Sequence, residues 1–177
     1  MFSLFNMQQF ISAFVVLFAV IDVIGAVPII INLKQHGKKI NPEKAAVFSL
    51  LMFLGFFFIG QFFLDLFKLD LSSFAIAGSL IIFIMALEMI LDIDIFREGP
   101  DTPKDATFVP LVFPLLAGAG SLTTLMSIRA EYADINVLLA ILANIAVIYV
   151  VVKAAKWIEN KVGHSGIYVL KKCFGII

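Results

Sequence analysis

Asp22 stands alone among apolar neighbours: no charged residue precedes it, and the next one along the chain is Lys34. An ionised carboxylate deep in a membrane segment costs at least a few kcal/mol. Gly25 and Pro28 follow it closely, and both can open a helix. Two chemistries fit. In one, the carboxylate and freed backbone carbonyls bind a cation, a proton or an amine. In the other, Asp22 caps the half-helix after the break by accepting its free N–H groups. The second constellation is Gly118-Ala119-Gly120-Ser121 with Thr123 and Thr124. A half-helix starting there presents free N–H groups and a partial positive charge, which suit a substrate carboxylate. The competing reading is close helix packing on small residues. Asn144 and Glu88 complete the interior candidates, the first suited to an interhelical hydrogen bond and the second to an interfacial carboxylate; Gln61 and Asn32 are weaker.

No other chemistry is signalled. There is no His-Glu-x-x-His, Gly-x-Ser-x-Gly or P-loop pattern, and no Cys/His cluster at metal spacing. The expectation is a non-enzyme without metal or cofactor. His36 and His164 fall in predicted loops, and the single Cys173 rules out an intrachain disulfide. A formal net charge of zero gives no nucleic-acid signal.

The elements that must position these residues are membrane helices. The 177 residues are 62% hydrophobic and only 15% charged, against about 25% charged in soluble domains. Charges are absent from Met1–Ile21, Ala45–Leu64, Leu71–Leu87, Ala106–Ile128 and Ile135–Val152. About 20 helical residues cross a hydrocarbon core of about 30 Å, so five runs reach or approach spanning length. Stretches such as Phe53-Leu54-Gly55-Phe56-Phe57-Phe58-Ile59 are apolar all round and exclude the alternation of barrel strands. Without Lys or Arg before Lys34, the N-terminus lacks the basic start of a signal peptide and reads as a retained first helix.

The predicted segments are Phe5–Leu33, broken near Asp22–Pro28; Glu43–Phe67, opened by Asn41 and Pro42; Ser72–Leu91, capped by Ser72 or Ser73; Phe108–Ile128, broken near Gly118–Gly120; and Ile135–Trp157, capped by Asp134. A sixth starts near Ser165 and is partial: Ile167–Ile177 reaches about 16 Å, half a bilayer. That favours a chain shorter than the natural protein. With the N-terminus outside, inside loops hold Lys34, Lys38, Lys39, Lys44, Arg97, Lys104, Lys153, Lys156 and Lys161, nine against Lys68 and Arg129 outside. Arg129 is expected to snorkel to the outer interface. The charged stretch 92–105 divides three segments (1–91) from three (106–177), the arithmetic of an inverted repeat. The whole reads as one all-α membrane domain, a six-helix bundle of two inverted three-helix repeats.

Phe18-Ala19-Val20-Ile21-Asp22-Val23-Ile24-Gly25-Ala26-Val27-Pro28, Pro110-Leu111-Val112-Phe113-Pro114-Leu115-Leu116-Ala117-Gly118-Ala119-Gly120-Ser121, and Gly163-His164-Ser165-Gly166 before Leu170-Lys171-Lys172 resemble the MarC family (UPF0056) of bacterial multi-pass inner-membrane proteins. The resemblance covers nearly the whole chain. Val23 and Ala119 depart from it, standing where the family commonly has proline, which weakens the forced helix breaks. The family resembles the lysine-exporter superfamily, which implies six helices and export of small metabolites. The reading is a secondary transporter or exporter of a small polar metabolite in the inner membrane. Its site would comprise Asp22, Gly25, Pro28, Gly118, Gly120, Ser121, Thr123 and Asn144. The alternative is a scaffold or regulatory subunit acting through helix contacts. Expected partners are the lipid bilayer, a small-molecule substrate and a second copy of the chain.

Overall fold

The computed structural model describes residues 5–35, 37–66, 68 and 105–176, and between them positions 70, 72, 73, 76, 80, 83, 84, 87, 90 and 91. Glu88, His36 and linker residues 92–104 lie outside the described residues, as do the side chains of Asn32, Gln61, His164 and Cys173.

Among the described residues, six continuous helical elements follow one another: α1 (Met7–Ile21), α2 (Ala26–Gln35), α3 (Pro42–Leu66), α4 (Thr107–Leu116), α5 (Ala119–Glu131) and α6 (Asp134–Ile176). Among the described residues, Pro42–Gly60 and Asp134–Ile158 are long and apolar enough to cross a bilayer, and the bent pair α4–α5 supplies a third span if taken as one. The buried residues recur at helical spacing. Ala13, Leu17 and Ile21 mark α1; Ala45, Ser49, Phe53 and Phe57 mark α3; Val137, Ala140, Ile141, Asn144, Ile148, Val152 and Ala155 mark α6. The opposite faces expose Ile11, Val15, Leu51, Phe58, Phe62, Leu142 and Val150. Apolar residues facing outward are what lipid, rather than water, calls for.

Local signals explain where the helices start. Asn41 Oδ1 accepts from the N–H groups of Glu43 (2.9 Å) and Lys44 (3.2 Å) ahead of Pro42, the cap that the sequence implies. Asn6 does the same for α1, accepting from Gln8 and Gln9. The third segment is capped differently from expectation. The Ser73 N–H donates to Asp70 Oδ2 at 3.3 Å, so the capping side chain is Asp70, whose carboxyl the Ser73 hydroxyl holds below its ordinary range. The largest departure is α6. It runs 43 residues without a break, about 65 Å, and the segment expected from near Ser165 is its continuation. No proline interrupts residues 134–176, and Gly163 or Gly166 alone costs a helix only about 1 kcal/mol.

Side-chain contacts fix the directions. Asn6 meets Asn136, Phe14 meets Asn144, and Val27 and Ile31 meet Val151 and Ile158. Hence α1 and then α2 follow α6 in the same sense. Asn41 meets Thr107, Phe48 meets Phe108, and Phe57 meets Arg129. So α3 runs parallel to α4 and α5. Val20 lies beside Gly120 while Val16 lies with Thr123, Ser127 and Glu131, which makes α1 and α5 antiparallel.

At the end where α3 and α4 begin, Lys44 Nζ pairs with Asp105 Oδ2 at 2.6 Å. The Ala106 N–H donates to the Lys39 carbonyl at 3.0 Å, and the Asn41 N–H to the buried Thr107 Oγ1 at 3.0 Å. The hydrogen bond from Lys44, aided by Thr107, pushes the Asp105 pKa down to about 2. A lowered pKa stabilises the fold above the ordinary value of 3.8, and that stabilisation fades as pH falls through about 2. The melting-temperature gap between wild type and Asp105→Asn should therefore be present at neutral pH and close as the pH approaches 2; a gap that persists there would contradict the pairing. Both partners are about half exposed, so the gap should be small.

Ser49 presents the opposite case, a buried hydroxyl on α3 with no hydrogen-bond partner among the described residues. An unsatisfied buried group costs about 1–3 kcal/mol. Ser49→Ala should unfold in detergent at an equal or higher temperature than wild type; a clear loss of stability would show that the hydroxyl has a partner.

Candidate functional site

The first break is built on Asp22. Its backbone is left-handed (φ 45°, ψ 49°), and its N–H closes α1 on the Phe18 carbonyl at 3.2 Å. Asp tolerates this conformation better than bulkier residues because its short polar side chain bonds locally. Here Oδ1 accepts from the Gly25 N–H at 3.1 Å, and the Asp22 carbonyl accepts from the Ala26 N–H at 3.1 Å. Asp22 thus ends α1 and opens α2, the local capping role. Gly25 leaves room for that carboxylate position, since a Cβ there would lie 2.2 Å from Asp22 Oδ2. Pro28, buried in the first turn of α2, occupies a place where its missing N–H is not needed.

The second break is more irregular than one interruption at the glycines. Val109 (φ −116°, ψ 127°) and Phe113 (φ −113°, ψ 126°) are extended inside α4, each pushed out of the helical region by the proline that follows it. The chain then bends by 51° between α4 and α5. Gly118 is extended (φ −88°, ψ −179°), and a Cβ on it would stand 1.9 Å from the Pro114 carbonyl oxygen. The buried Ser121 hydroxyl lies 3.0 Å from the Leu116 carbonyl and 3.1 Å from that of Gly118, and donates across the bend. Thr123 Oγ1 donates to the Gly120 carbonyl at 2.9 Å. Intrahelical bonding in α5 begins with Leu122 N–H on the Gly118 carbonyl, leaving the N–H groups before it outside the helical ladder.

The two breaks meet. A Cβ on Gly120 would sit 3.8 Å from Val20 Cγ1, two residues before Asp22. Asn144 is elsewhere: its Nδ2 donates to the Phe14 carbonyl at 3.2 Å and to the Ala140 carbonyl at 2.9 Å. Phe14 lies eight residues, about 12 Å of helix, before Asp22. Asn144 is thus an interhelical tie. Arg129 turns onto α3, donating to the Phe57 carbonyl with its guanidinium 4.6 Å from the Phe57 ring centroid.

Beyond Gly120 the space between α1 and α5 opens into a cleft of about 380 Å³, lined by Val16, Ser72, Thr123, Thr124, Ser127, Ile128 and Glu131. The sequence singles out Ser72 only as a helix cap, and Ser127 and Glu131 not at all. The signal available was the spacing of Thr123, Ser127 and Glu131, four residues apart, which puts one polar stripe on one helix face.

The bent apolar α4–α5 pair and the Asp22 break fall where the resemblance places them. A family description, "MarC family integral membrane protein", matches residues 7–177. The chain belongs to the MarC family. It is 31% identical to a UPF0056 membrane protein of Methanocaldococcus jannaschii, over 97% of this chain and 91% of that one. It is 28% identical to the UPF0056 membrane protein YvbG of Bacillus subtilis, over 94% and 87%. It is 26% identical to the UPF0056 inner membrane protein YhgN of Escherichia coli K12, over 97% and 90%. These MarC relatives come from archaea as well as bacteria. No solved structure matches the chain. Both breaks of this MarC protein persist despite Val23 and Ala119. Asp22 supplies the first through its left-handed backbone, and the close approach of Gly118 to Pro114 shapes the second.

Proposed function

We propose that this MarC-family protein is a secondary transporter or exporter of a small polar metabolite, with its site where the two broken helices cross. One observation carries the reading: α1–α2 and α4–α5 pass in opposite senses with Gly120 against Val20, break beside break. Transporters built from inverted halves hold substrate at paired discontinuous helices of this kind. In the reading, the halves are inverted three-helix repeats and the N-terminus faces outside. Lys34, Lys38, Lys39, Lys44, Lys153, Lys156 and Lys161 then fall on the inner side, where cytoplasmic loops carry their excess of Lys and Arg. Asp22 Oδ2, not engaged by Gly25, would take the coupling cation or proton. The first turn of α5 would meet an anionic group.

A scaffold acting through helix contacts is the second reading. It is favoured by the local satisfaction of Asp22, Ser121 and Thr123 within their own breaks. The two differ in water access. Ala26 and Ala119 are buried; single cysteines there should react with a water-soluble thiol reagent in a transporter and stay protected in a scaffold. With the substrate found by comparing metabolites of a deletion and an overexpressing strain, Asp22→Asn should lower efflux about tenfold or more, the loss of one charge interaction of roughly 1.4 kcal/mol. Unchanged efflux would remove Asp22 from coupling.

A further inference from the structure

We infer that the cleft between α1 and the outer half of α5 is a binding vestibule for small organic cations bearing an ammonium group. The inference rests on the transport reading for the cleft's place at the outer mouth, but its chemistry is read from the cleft itself. Elsewhere the faces of α1, α3 and α6 that point outward are apolar, as Ile11, Leu51, Phe58 and Leu142 show. The cleft is the exception. Thr123, Thr124, Ser127 and Glu131 bring three hydroxyls and a carboxylate to one wall, and Ser72 adds a hydroxyl from across it. Among the described residues, Asp22, Ser121, Thr123 and Asn144 spend hydrogen bonds inside the protein. Thr124, Ser127 and Glu131 have no hydrogen-bond or ion-pair partner there. Polar groups left in that state at a membrane-embedded surface need water or a solute.

The sign of the preferred solute follows from how the charges are sorted. Arg129 faces α3, held by the Phe57 carbonyl and ring and 3.8 Å from Asp134. Glu131, two residues on, is the charged residue that lines the cleft among the described residues. The cleft's outer end is also the C-terminal end of α5, where the helix carries a partial negative charge. Carboxylate and helix end therefore act together on a cation. The hydroxyls of Thr124 and Ser127 can accept hydrogen bonds from an ammonium and donate to the polar remainder of the same molecule.

The test uses the full chain in lipid nanodiscs with Cys173→Ser as background and Ser127→Cys as reporter. Its modification by a trimethylammonium methanethiosulfonate is compared with that by a sulfonate analogue, each rate normalised to a free thiol. The cationic reagent should be favoured about fivefold or more, as expected for one carboxylate acting at short range. Glu131→Gln should bring the ratio close to one, and millimolar ethanolamine should slow the labelling. A cysteine at the lipid-facing Leu142 should remain unlabelled. Absence of labelling at Ser127→Cys, a ratio near one, a ratio indifferent to Glu131→Gln, or no slowing by ethanolamine overturns the vestibule. Thr124→Cys repeats the measurement should Ser127→Cys fold poorly. A protected cysteine at Ala119 together with charge-selective labelling at Ser127 would sink the transport reading and leave the cation cleft standing.

Discussion

Gly118→Ala is expected to cost roughly 3 kcal/mol of folding stability, the upper end of overpacking effects. A Cβ at this position stands 1.9 Å from the Pro114 carbonyl oxygen and 3.1 Å from its carbonyl carbon. Both are backbone atoms, so no rotamer relieves the clash; α4 must move relative to α5. The Ser121 hydroxyl, which donates across this bend to Leu116 and Gly118, would lose its geometry with it. Gly55→Ala is the matched control. Among the described residues nothing lies within 4 Å of its added Cβ, and replacing a mid-helix glycine should raise stability by about 1 kcal/mol. Gly25→Ala is intermediate, because the obstructing atoms are the Asp22 carboxylate, which can rotate at the expense of its bond to the Gly25 N–H. Denaturant unfolding in mixed micelles ranks the three. Equal stability of Gly118→Ala and Gly55→Ala would mean that the tight bend is not part of the folded state.

Those same glycines show what the sequence makes legible. Both breaks could be located from Gly and Pro within charge-free runs, because backbone freedom is a property of residue type. The family could be seen in the same two stretches. The extended residues inside α4 were equally available from Pro110 and Pro114, four apart, yet a hydropathy reading sees only apolar residues and passes over them. Counting charges has a related blind spot. It treats Ala106–Ile128 as one apolar run, though Thr123, Thr124 and Ser127 give α5 a polar face. The adjacency of the breaks was out of reach, since the contact of Val20 with Gly120 depends on the tertiary crossing of helices a hundred residues apart. Chain order also could not show that Asp22 satisfies its carboxylate on Gly25.

The least visible residue in the sequence is the one whose loss should weigh next most heavily. Asn136→Ala is expected to destabilise the protein by about 2 kcal/mol, more than Asn144→Ala. The fully buried Asn136 joins the starts of α1 and α6. Its Oδ1 accepts from the Asn6 N–H at 3.0 Å, and its Nδ2 donates to Gln9 Oε1 at 2.7 Å. Gln9 Oε1 also accepts from the Ala133 N–H at 3.3 Å. Truncation leaves the part-buried Asn6 N–H without this acceptor and loosens Gln9, which holds the turn before α6. Asn144 gives its hydrogen bonds to Phe14 and Ala140 carbonyls, which helix neighbours already engage, so its removal should cost nearer the roughly 0.6 kcal/mol typical of polar ties between membrane helices. A double-mutant cycle with Gln9→Ala separates the network from simple cavity formation. Coupling between Gln9 and Asn136 of about 1 kcal/mol is expected for bonded neighbours, whereas additive losses would show that Asn136 acts only by filling space. The order of the two asparagines thus decides whether the parallel pairing of α1 with α6 is set at their shared start or along their packed faces.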